Sequence, residues 1–577
     1  MPQSGYGMEI YMSIIENSRK KIGQAVETAF EKAVEAGVLA ISDSINVAEK
    51  IQLEVPKDEQ HGDFACNIAM LLAKELRMPP RKIAEAIAEN IEVGGEIERV
   101  EVAGAGFINF YLSNQRLYDV IREIEEKGSD YGKIQVGNGK KVMVEFVSAN
   151  PTGPMHMGNA RGGALGDCMA SVLEYAGYDV TREFYVNDAG NQIEKFGKSL
   201  EARYIQQLKG EDAVEFPEDG YHGDDITEHA KAFIEIEGDK FLDTTSEERK
   251  AALVAYALEK NVASLKSDLE KYRIFYDVWF RESELHKNGK VQEAIDRLTK
   301  AGYTYEEDGA VWINCEKMGL EKNEVLVRNN GIPTYFAADI AYHINKIETR
   351  GYDLCIDVWG ADHHGHIARM KAALAAVGID PDKFEVSIMQ LVRLTRDGEA
   401  VRMSKRTGKA ITLTDLLDDV SVDAARFLFN MRMAGSHLDF DLDLAVKQES
   451  ENPVYYVQYA HARICSIIRV LKEEGIEVKP FSEISTEVLT EKEELALLKK
   501  LCDLPEEIRM AAESREPAKI TRYVMDLASA FHTFYNACRV KVEDEAVLNA
   551  RLKMVDSVRI VIAGVLKMLK IEAPEKM

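Results

Sequence analysis

Scarcity narrows the reading before any motif does. No apolar run in the 577-residue chain is long enough to span a bilayer. Residues 1–20 mix Glu, Arg and Lys among apolar positions and lack the apolar core of a secretory signal. Cysteine is sparse: seven residues, at 66, 168, 315, 355, 465, 502 and 538, with no metal-type spacing. The expectation is a cytoplasmic protein with reduced thiols and no zinc module. Neither the three-glycine dinucleotide fingerprint nor the Gly-Lys-Ser/Thr of a P-loop is present. Internal repeats are missing too, which excludes solenoids. Positive charge is also short, since 72 Lys and Arg against 98 Asp and Glu leave a net −26. That balance disfavours tight nonspecific binding to nucleic acid. It leaves room for a local basic face, because RNA affinity follows nearby cations rather than the whole-chain sum.

What is present is globular in composition, 46% apolar and 29% charged, and long enough for about three to four domains. Two segments carry chemistry. Within 145–167 an apolar β-type run, 142–147, ends in a Pro/Gly turn, and His156-Met157-Gly158-Asn159 opens a helix rich in Gly and Ala. A strand feeding such a turn at a helix N-terminus lets phosphates approach backbone N–H groups. One helical turn aims His156 and Asn159 at the same point. Gly158 permits close approach, because a Cβ there would collide. The second segment, Arg402-Met403-Ser404-Lys405-Arg406-Thr407-Gly408-Lys409, follows a strand-like stretch at 386–394 and a turn at Asp397-Gly398. Its clustered cations suit neutralisation of a polyphosphate, with lysine as a compact charge that follows phosphate oxygens. Taken singly, the first is also readable as an ordinary βα turn and the second as a solvated loop. Their occurrence together, in this order, points to nucleotide chemistry.

Residues 1–115 read as a small α/β domain. Asp63 is placed to cap a helix with apolar residues at 64, 68, 71, 72 and 76, stopped by Pro79-Pro80; a helix at 82–89 and a strand ending at 104–112 follow. Over 116–415, strands at 142–147, 179–185, 354–359 and 386–391 alternate with helices at 159–176, 335–349 and 366–377. This predicts a doubly wound, Rossmann-like parallel sheet with its ligand at the carboxyl ends of the strands. Charged, helix-prone residues at about 196–320 read as an insertion, after which a strand at 325–328 resumes the fold. Residues 416–577 are helical: Asn452-Pro453 caps one helix, and others at 488–502, 517–541 and 545–570 complete a bundle. The fold class is therefore α/β plus all-α.

The two segments resemble the signatures of class I aminoacyl-tRNA synthetases, His-Ile-Gly-His and Lys-Met-Ser-Lys-Ser. The residues at 145–151, 334–339, 358–366, 403–409 and 423–426 are similar to those of bacterial-type arginyl-tRNA synthetases, and the likeness runs from about Phe64 to the C-terminus. Asn159 departs from the pattern, standing where the second signature histidine would be; it donates a hydrogen bond but carries no charge. Arg402 and Arg406 replace the outer lysine and the serine of the second signature and keep its positive field.

The resemblance implies ATP and Mg²⁺ as cofactors, L-arginine and tRNA(Arg) as partners, and an arginyl-adenylate intermediate whose formation itself needs tRNA. The expected enzyme is a cytoplasmic monomer without a membrane partner. His156, Asn159 and Lys405 are the implied catalytic residues. Gly158, Gly360, Asp362, His366, Met403, Ser404 and Lys409 are the implied ATP contacts, with Asp362 on the ribose. Tyr335 and Asp339, four apart on a predicted helix, are implied for the guanidinium, which a carboxylate fork distinguishes from an ammonium. Glu145 and Asn150 stand at the mouth of the first strand to hold the substrate's ammonium or guanidinium. Phe107 and Asn109 are read as an exposed aromatic and amide for a splayed loop base. Tyr455, Tyr459, Arg463 and Met577 are read as anticodon contacts. The plainer alternatives are a surface helix pair for Tyr335 and Asp339, and core packing for Phe107, Asn109 and the tyrosines. No resident metal is expected at His363, His364 and His366. Two other functions remain open at this point: a synthetase for another amino acid, and an RNA-binding protein that has lost catalysis.

Overall fold

The computed structural model describes residues 14–40, 46–56, 58–401 and 411–577. In the N-terminal part, Ile97–Ala103 and Phe107–Leu112 pair antiparallel, and Phe64–Cys66 and Leu53–Glu54 extend the sheet beyond Phe107–Leu112. Helices Ile68–Leu76 and Pro80–Ala88 bury Ile68, Leu72, Ile83 and Ile87. Pro80 sits in the first turn, where its missing N–H leaves no bond unmade. The expected Asp63 cap is not formed. Residues 64–66 are strand, the helix begins at Ile68, and Asp63 accepts from Leu112 N at 2.8 Å and pairs with Arg116.

Five strands form one parallel sheet: β1 (Lys141–Glu145), β2 (Asp179–Val186), β3 (Val278–Arg281), β4 (Leu354–Gly360) and β5 (Phe384–Met389), in the order β5-β4-β1-β2-β3. Val142, Met143 and Val144 are all buried, as a strand covered on both faces requires. Helices α1 (Gly158–Tyr175), α2 (Tyr335–Ile344) and α3 (His364–Ala376) belong to this part. α2 continues into a single π turn, Asn345–Thr349. From β1 the chain runs outward to β2 and β3, whereas β4 and β5 lie on the other side. The β1–β4 boundary is therefore the topological switch at which α/β sheets open a crevice.

The stretch read as one insertion is two excursions. Helices Gly190–Lys209, Asp224–Glu237 and Ser246–Lys271 leave the sheet with their own core of Phe196, Leu200, Tyr204, Phe233 and Leu253. The chain then returns as β3, whose Trp279 stacks on Phe184 at 4.3 Å. Only afterwards does it leave again to build an antiparallel sheet of Thr304–Glu307, Ala310–Ile313 and Glu324–Val327. The strand expected at 325–328 to resume the parallel sheet thus belongs to this smaller one. β3 has four half-buried residues, too few to show a period.

Beyond the sheet lie α4 (Val422–Asn430), α5 (Pro453–Glu473) and helices Lys492–Cys502, Leu504–Ser514, Ala518–Ala537 and Glu545–Met568. Asn452 caps α5 by accepting from Val454 N at 3.3 Å. Arg426 of α4 is fully buried at the junction of the parts. It donates to the carbonyls of Leu569 at 2.9 Å and Tyr272 at 3.0 Å, and pairs with Asp167 of α1. Among the described residues no helix is long and apolar enough to cross a membrane.

Candidate active site

β1 ends in a backbone conformation that side chains rarely adopt. Val147 (φ 68°) and Ser148 (φ 40°) are both left-handed, which strains a β-branched residue. Ser148 Oγ holds the turn by donating to Glu145 Oε1 at 2.9 Å and accepting from Tyr185 N at 3.1 Å. α1 then packs directly against the strand end. A Cβ on Gly166 would lie 2.3 Å from Phe146 Cγ, which is why this helix carries glycine.

His156 is exposed, and its Nδ1 accepts the Gly158 N–H at 3.1 Å. The ring proton must therefore sit on Nε2, which presents a donor. A Cβ on Gly158 would come within 3.3 Å of that Nδ1, so the close approach at 158 is to the histidine ring itself. Asn159 is half-buried one turn away. The first motif is bound to the residues that follow the second. Met157 N donates to Ile411 O at 2.9 Å, Leu413 N donates to Met155 O at 3.0 Å, and His156 bridges Thr412. Arg402, Met403, Ser404, Lys405, Arg406 and Lys409 lie outside the described residues.

At the β1–β4 switch a cleft of about 430 Å³ is lined by Glu145, Ser148, Tyr185, Tyr335, Asp339, Gly360, Asp362 and His366 among others. Six residues singled out from sequence thus meet there: Glu145, Tyr335, Asp339, Gly360, Asp362 and His366. Asn150 is exposed and is not part of its lining. Tyr335 is largely exposed, with its ring 6.1 Å from that of His366. Gly360 ends β4, where a Cβ would meet Asp362 Oδ1 at 2.7 Å. The Asp362 carboxylate is open to solvent.

The floor of this cleft is ionic. Strand register places Asp357, Glu145 and Glu183 side by side across β4, β1 and β2, with strands about 4.8 Å apart. Unpaired, these three carboxylates would repel. α2 and its π turn supply the partners from one face. Lys346 Nζ donates to Glu145 at 2.6 Å and to Asp357 at 2.9 Å. Arg350 donates to Glu183 at 2.8 Å, and the Tyr342 hydroxyl also bonds Glu183. His343 Nε2 lies 3.0 Å from Asp357, and its Nδ1 lies 2.9 Å from the Asp339 carbonyl. His366 Nε2 reaches Asp339 Oδ2 at 2.7 Å. Burial and the Lys346 ammonium pull the His343 imidazole down, but Asp339 and Asp357 outweigh them and push it up to about 9. Burial acts against an ionised Asp339, yet His343 and His366 hold its carboxyl well below the usual carboxylate range. Burial raises the Glu145 carboxyl, against the ammonium beside it.

Glu145 therefore differs from its expected part. One oxygen is engaged by Lys346 and the other by Ser148, so it belongs to the floor rather than to a free substrate anchor. His343, Lys346, Arg350 and Asp357 were not apparent from sequence, although 339, 343, 346 and 350 share one helical face. Glu282 was missed as well; it is buried at the end of β3 and bonds the Tyr185 hydroxyl.

Among the RNA-facing expectations, Asn109 is corrected: it is 3% exposed, on a strand paired on both sides with residues 65 and 101. Phe107 is half-buried at the start of that strand. Tyr455 and Tyr459 stack, with centroids 6.3 Å apart and planes at 7°, and Arg463 lies over Tyr459 and Tyr535 at 5.8 and 4.2 Å. Met577 is half-exposed, at the end of a tail whose Pro574 carbonyl accepts from His461 at 2.9 Å. Among the described residues, no three His, Cys, Asp or Glu side chains converge to hold a metal ion.

Three family models cover nearly the whole chain. The arginyl tRNA synthetase N-terminal domain matches residues 18–112, the class I (R) tRNA synthetase catalytic domain 120–436, and the DALR anticodon-binding domain 457–577. The arginine–tRNA ligase of Acetivibrio thermocellus is 59% identical over 98% of this chain and 100% of its own. That of Caldanaerobacter subterraneus is 55% identical, with the same coverage. Among solved structures, a putative arginyl-tRNA synthetase of Campylobacter jejuni superposes with a TM-score of 0.73 at 34% identity, covering 81% of this chain and 100% of that one. The Thermus thermophilus arginyl-tRNA synthetase gives a TM-score of 0.71 at 24% identity over 97% of this chain and 100% of its own, a likeness of fold.

Proposed function

The chain belongs to the arginyl-tRNA synthetases, and from that premise we propose how its residues divide the ATP-dependent ligation of L-arginine to tRNA(Arg). The observation that supports the division is the position of Asp339. Its carboxylate is held ionised at the β1–β4 cleft with Tyr335 beside it, at the carboxyl end of the strand that leads into the His156 turn. The substrate guanidinium takes Asp339 and Tyr335, and buried Glu282 completes the acidic surroundings through Tyr185. Bidentate pairing of this kind is directional and separates arginine from lysine.

Activation is an in-line attack of the arginine carboxylate on the α-phosphate of ATP, with pyrophosphate leaving. This asks the protein for position and charge rather than for a covalent nucleophile. His156 donates from Nε2, and Asn159 donates from its amide, to phosphate oxygens. Lys405, with Lys409, Met403 and Ser404 around it, neutralises the departing pyrophosphate. Gly158 keeps the histidine ring close to the helix start. Gly360, Asp362 and His366 receive the nucleoside, with the open Asp362 carboxylate on ribose hydroxyls. Mg²⁺ is read as arriving with the triphosphate. The arginyl group then passes to the terminal ribose of tRNA, which is also required for the first step. Tyr455, Tyr459, Arg463 and Met577 form the anticodon platform, with Phe107 on the N-terminal part contacting the RNA. The same reading makes the enzyme a cytoplasmic monomer.

Pyrophosphate exchange measured with each amino acid, with and without tRNA(Arg), tests the proposal. Exchange with arginine alone, and only when tRNA is present, is expected. Exchange with another amino acid, or arginine-dependent exchange without tRNA, contradicts it.

A further inference from the structure

Beneath the cleft, the ionic floor is one positive charge short. Glu183, Glu145, Asp357 and Asp339 are joined by direct contacts to Arg350, Lys346 and His343. Four carboxylates thus meet three cations, provided the imidazole is charged, and the contacts require that it be. Among the described residues, Nε2 faces Asp357 Oδ2 at 3.0 Å, while Nδ1 faces the Asp339 carbonyl at 2.9 Å and carboxylate at 3.3 Å. Both nitrogens must donate, and only the imidazolium does so. Asp357 is not the donor instead: burial acts against its charge, but the Lys346 ammonium at Oδ1 and the His343 ring at Oδ2 hold its carboxyl below the usual carboxylate range. His366 makes one donation to Asp339, which requires no charge on its ring, so the count of three cations is that of the floor with His366 neutral.

The floor opens to the cleft mainly at one point. Glu183, Asp357 and Glu145 are buried at 0%, 1% and 8% exposure, whereas the Asp339 side chain is 25% exposed. We propose that His343 is a positioning residue for arginine: strapped as an imidazolium between Asp357 and Asp339, it fixes the Asp339 carboxylate and leaves a deficit of one charge that only a cationic side chain completes. The inference rests on the reading that Asp339 receives the guanidinium. It adds a reason why a neutral isostere of the same shape, such as the ureido group of citrulline, is refused: the deficit would stay buried and unpaired. The value of about 9 reached by His343 agrees with a charged ring through neutral pH. The groups facing it are Asp339, Tyr342 and Lys346 from its own helix, Asp357 from β4 and the Phe384 ring from β5 at 4.6 Å, with Glu145 of β1 and Cys355 of β4 beyond Lys346.

The test uses the full-length enzyme with tRNA(Arg), reading arginine KM and ATP KM by exchange across pH for wild type, D339N, H343Q and the H343Q/D357N double variant. H343Q removes a cation, and the floor relieves the second unpaired charge by taking up a proton at Asp339, its most solvent-facing member. Arginine KM should rise about 10-fold, and fall again as pH rises, with ATP KM within about twofold. H343Q/D357N removes one charge of each sign, so it should recover most of the loss and its pH dependence. A double variant as impaired as H343Q, or ATP KM moving with arginine KM, makes His343 merely structural and overturns the proposal. D339N separates the two readings. If it leaves arginine KM unmoved, the pocket assignment itself fails; if it raises KM while H343Q does not, only the role of His343 fails. Should H343Q not fold, ring ¹³C shifts in histidine-labelled wild type decide. An imidazolium persisting to about pH 8 supports the proposal, and a ring titrating near about 6.5 overturns it.

Discussion

Glu145 and Asp357 are register partners on adjacent parallel strands, and the Lys346 ammonium stands 2.6 Å from one and 2.9 Å from the other. All three are buried, so each is expensive alone and tolerable only because the others are there. The cation comes from the π turn after α2, and that helix also carries Asp339. The group proposed to hold the guanidinium is thereby locked to the sheet through its own helix.

Lys405→Ala should lower the arginine-dependent exchange rate by about 100-fold or more, as for loss of a preorganised charge at a developing phosphate. Arginine KM should move little. Equal losses in rate and in arginine affinity would show that Lys405 serves the ground state instead.

Gly166→Ala places a methyl 2.3 Å from Phe146, against a residue fixed at the end of β1. Overpacking of this kind costs about 1–3 kcal/mol. It also tilts α1, which begins beside His156 and Asn159. A lower melting temperature and slower exchange are expected together. A variant that melts and turns over like wild type would refute the helix–strand contact.

Arg426→Met leaves the carbonyls of Leu569 and Tyr272 without their donor and Asp167 with Arg182 as its remaining cation. Breaking a buried pair on one side costs about 3–5 kcal/mol. Thermal melting followed by circular dichroism should show a clear loss, shared by the sheet and the C-terminal helices because the residue joins them. An unchanged melting temperature would rule the junction out.

The pH dependence of stability should carry the mark of His343. Its folded-state value, about 9, lies above the unfolded value of about 6.5. A raised value means that the contribution is complete below the unfolded value and is lost as pH climbs through the folded one. Wild type should therefore lose melting temperature between about pH 7 and 9.5, and H343Q should lose less over the same window. Parallel curves for the two proteins would remove His343 from the account.

The motifs were legible because their chemistry is local. A strand followed by His156-Met157-Gly158-Asn159, or a proline after Asn452, carries its meaning within one or two turns, and the observed α1 and α5 begin within a residue or so of where those patterns place them. The cap at Asp63 failed for a related reason. Phe64 satisfied helical spacing with Ile68, Leu71 and Leu72, but the neighbouring strand Phe107–Leu112 offered residues 64–66 a ladder that spacing alone cannot register. Asn109 was misread because a polar residue in a short strand looks exposed until both neighbouring strands are known.

From its residues alone, then, this protein determined where α1 and α5 begin, which segments alternate, and which two stretches point to phosphate chemistry, since these follow from backbone preference and side-chain type over short distances. Tertiary structure decided that 145, 183 and 357 stand in one row, that β3 returns to the sheet, and that His343 and Lys346 meet carboxylates from distant strands. Strand register is a property of the pairing and not of either strand. A slip by one residue would turn every side chain to the other face, so only the assembled sheet determines which charges become neighbours.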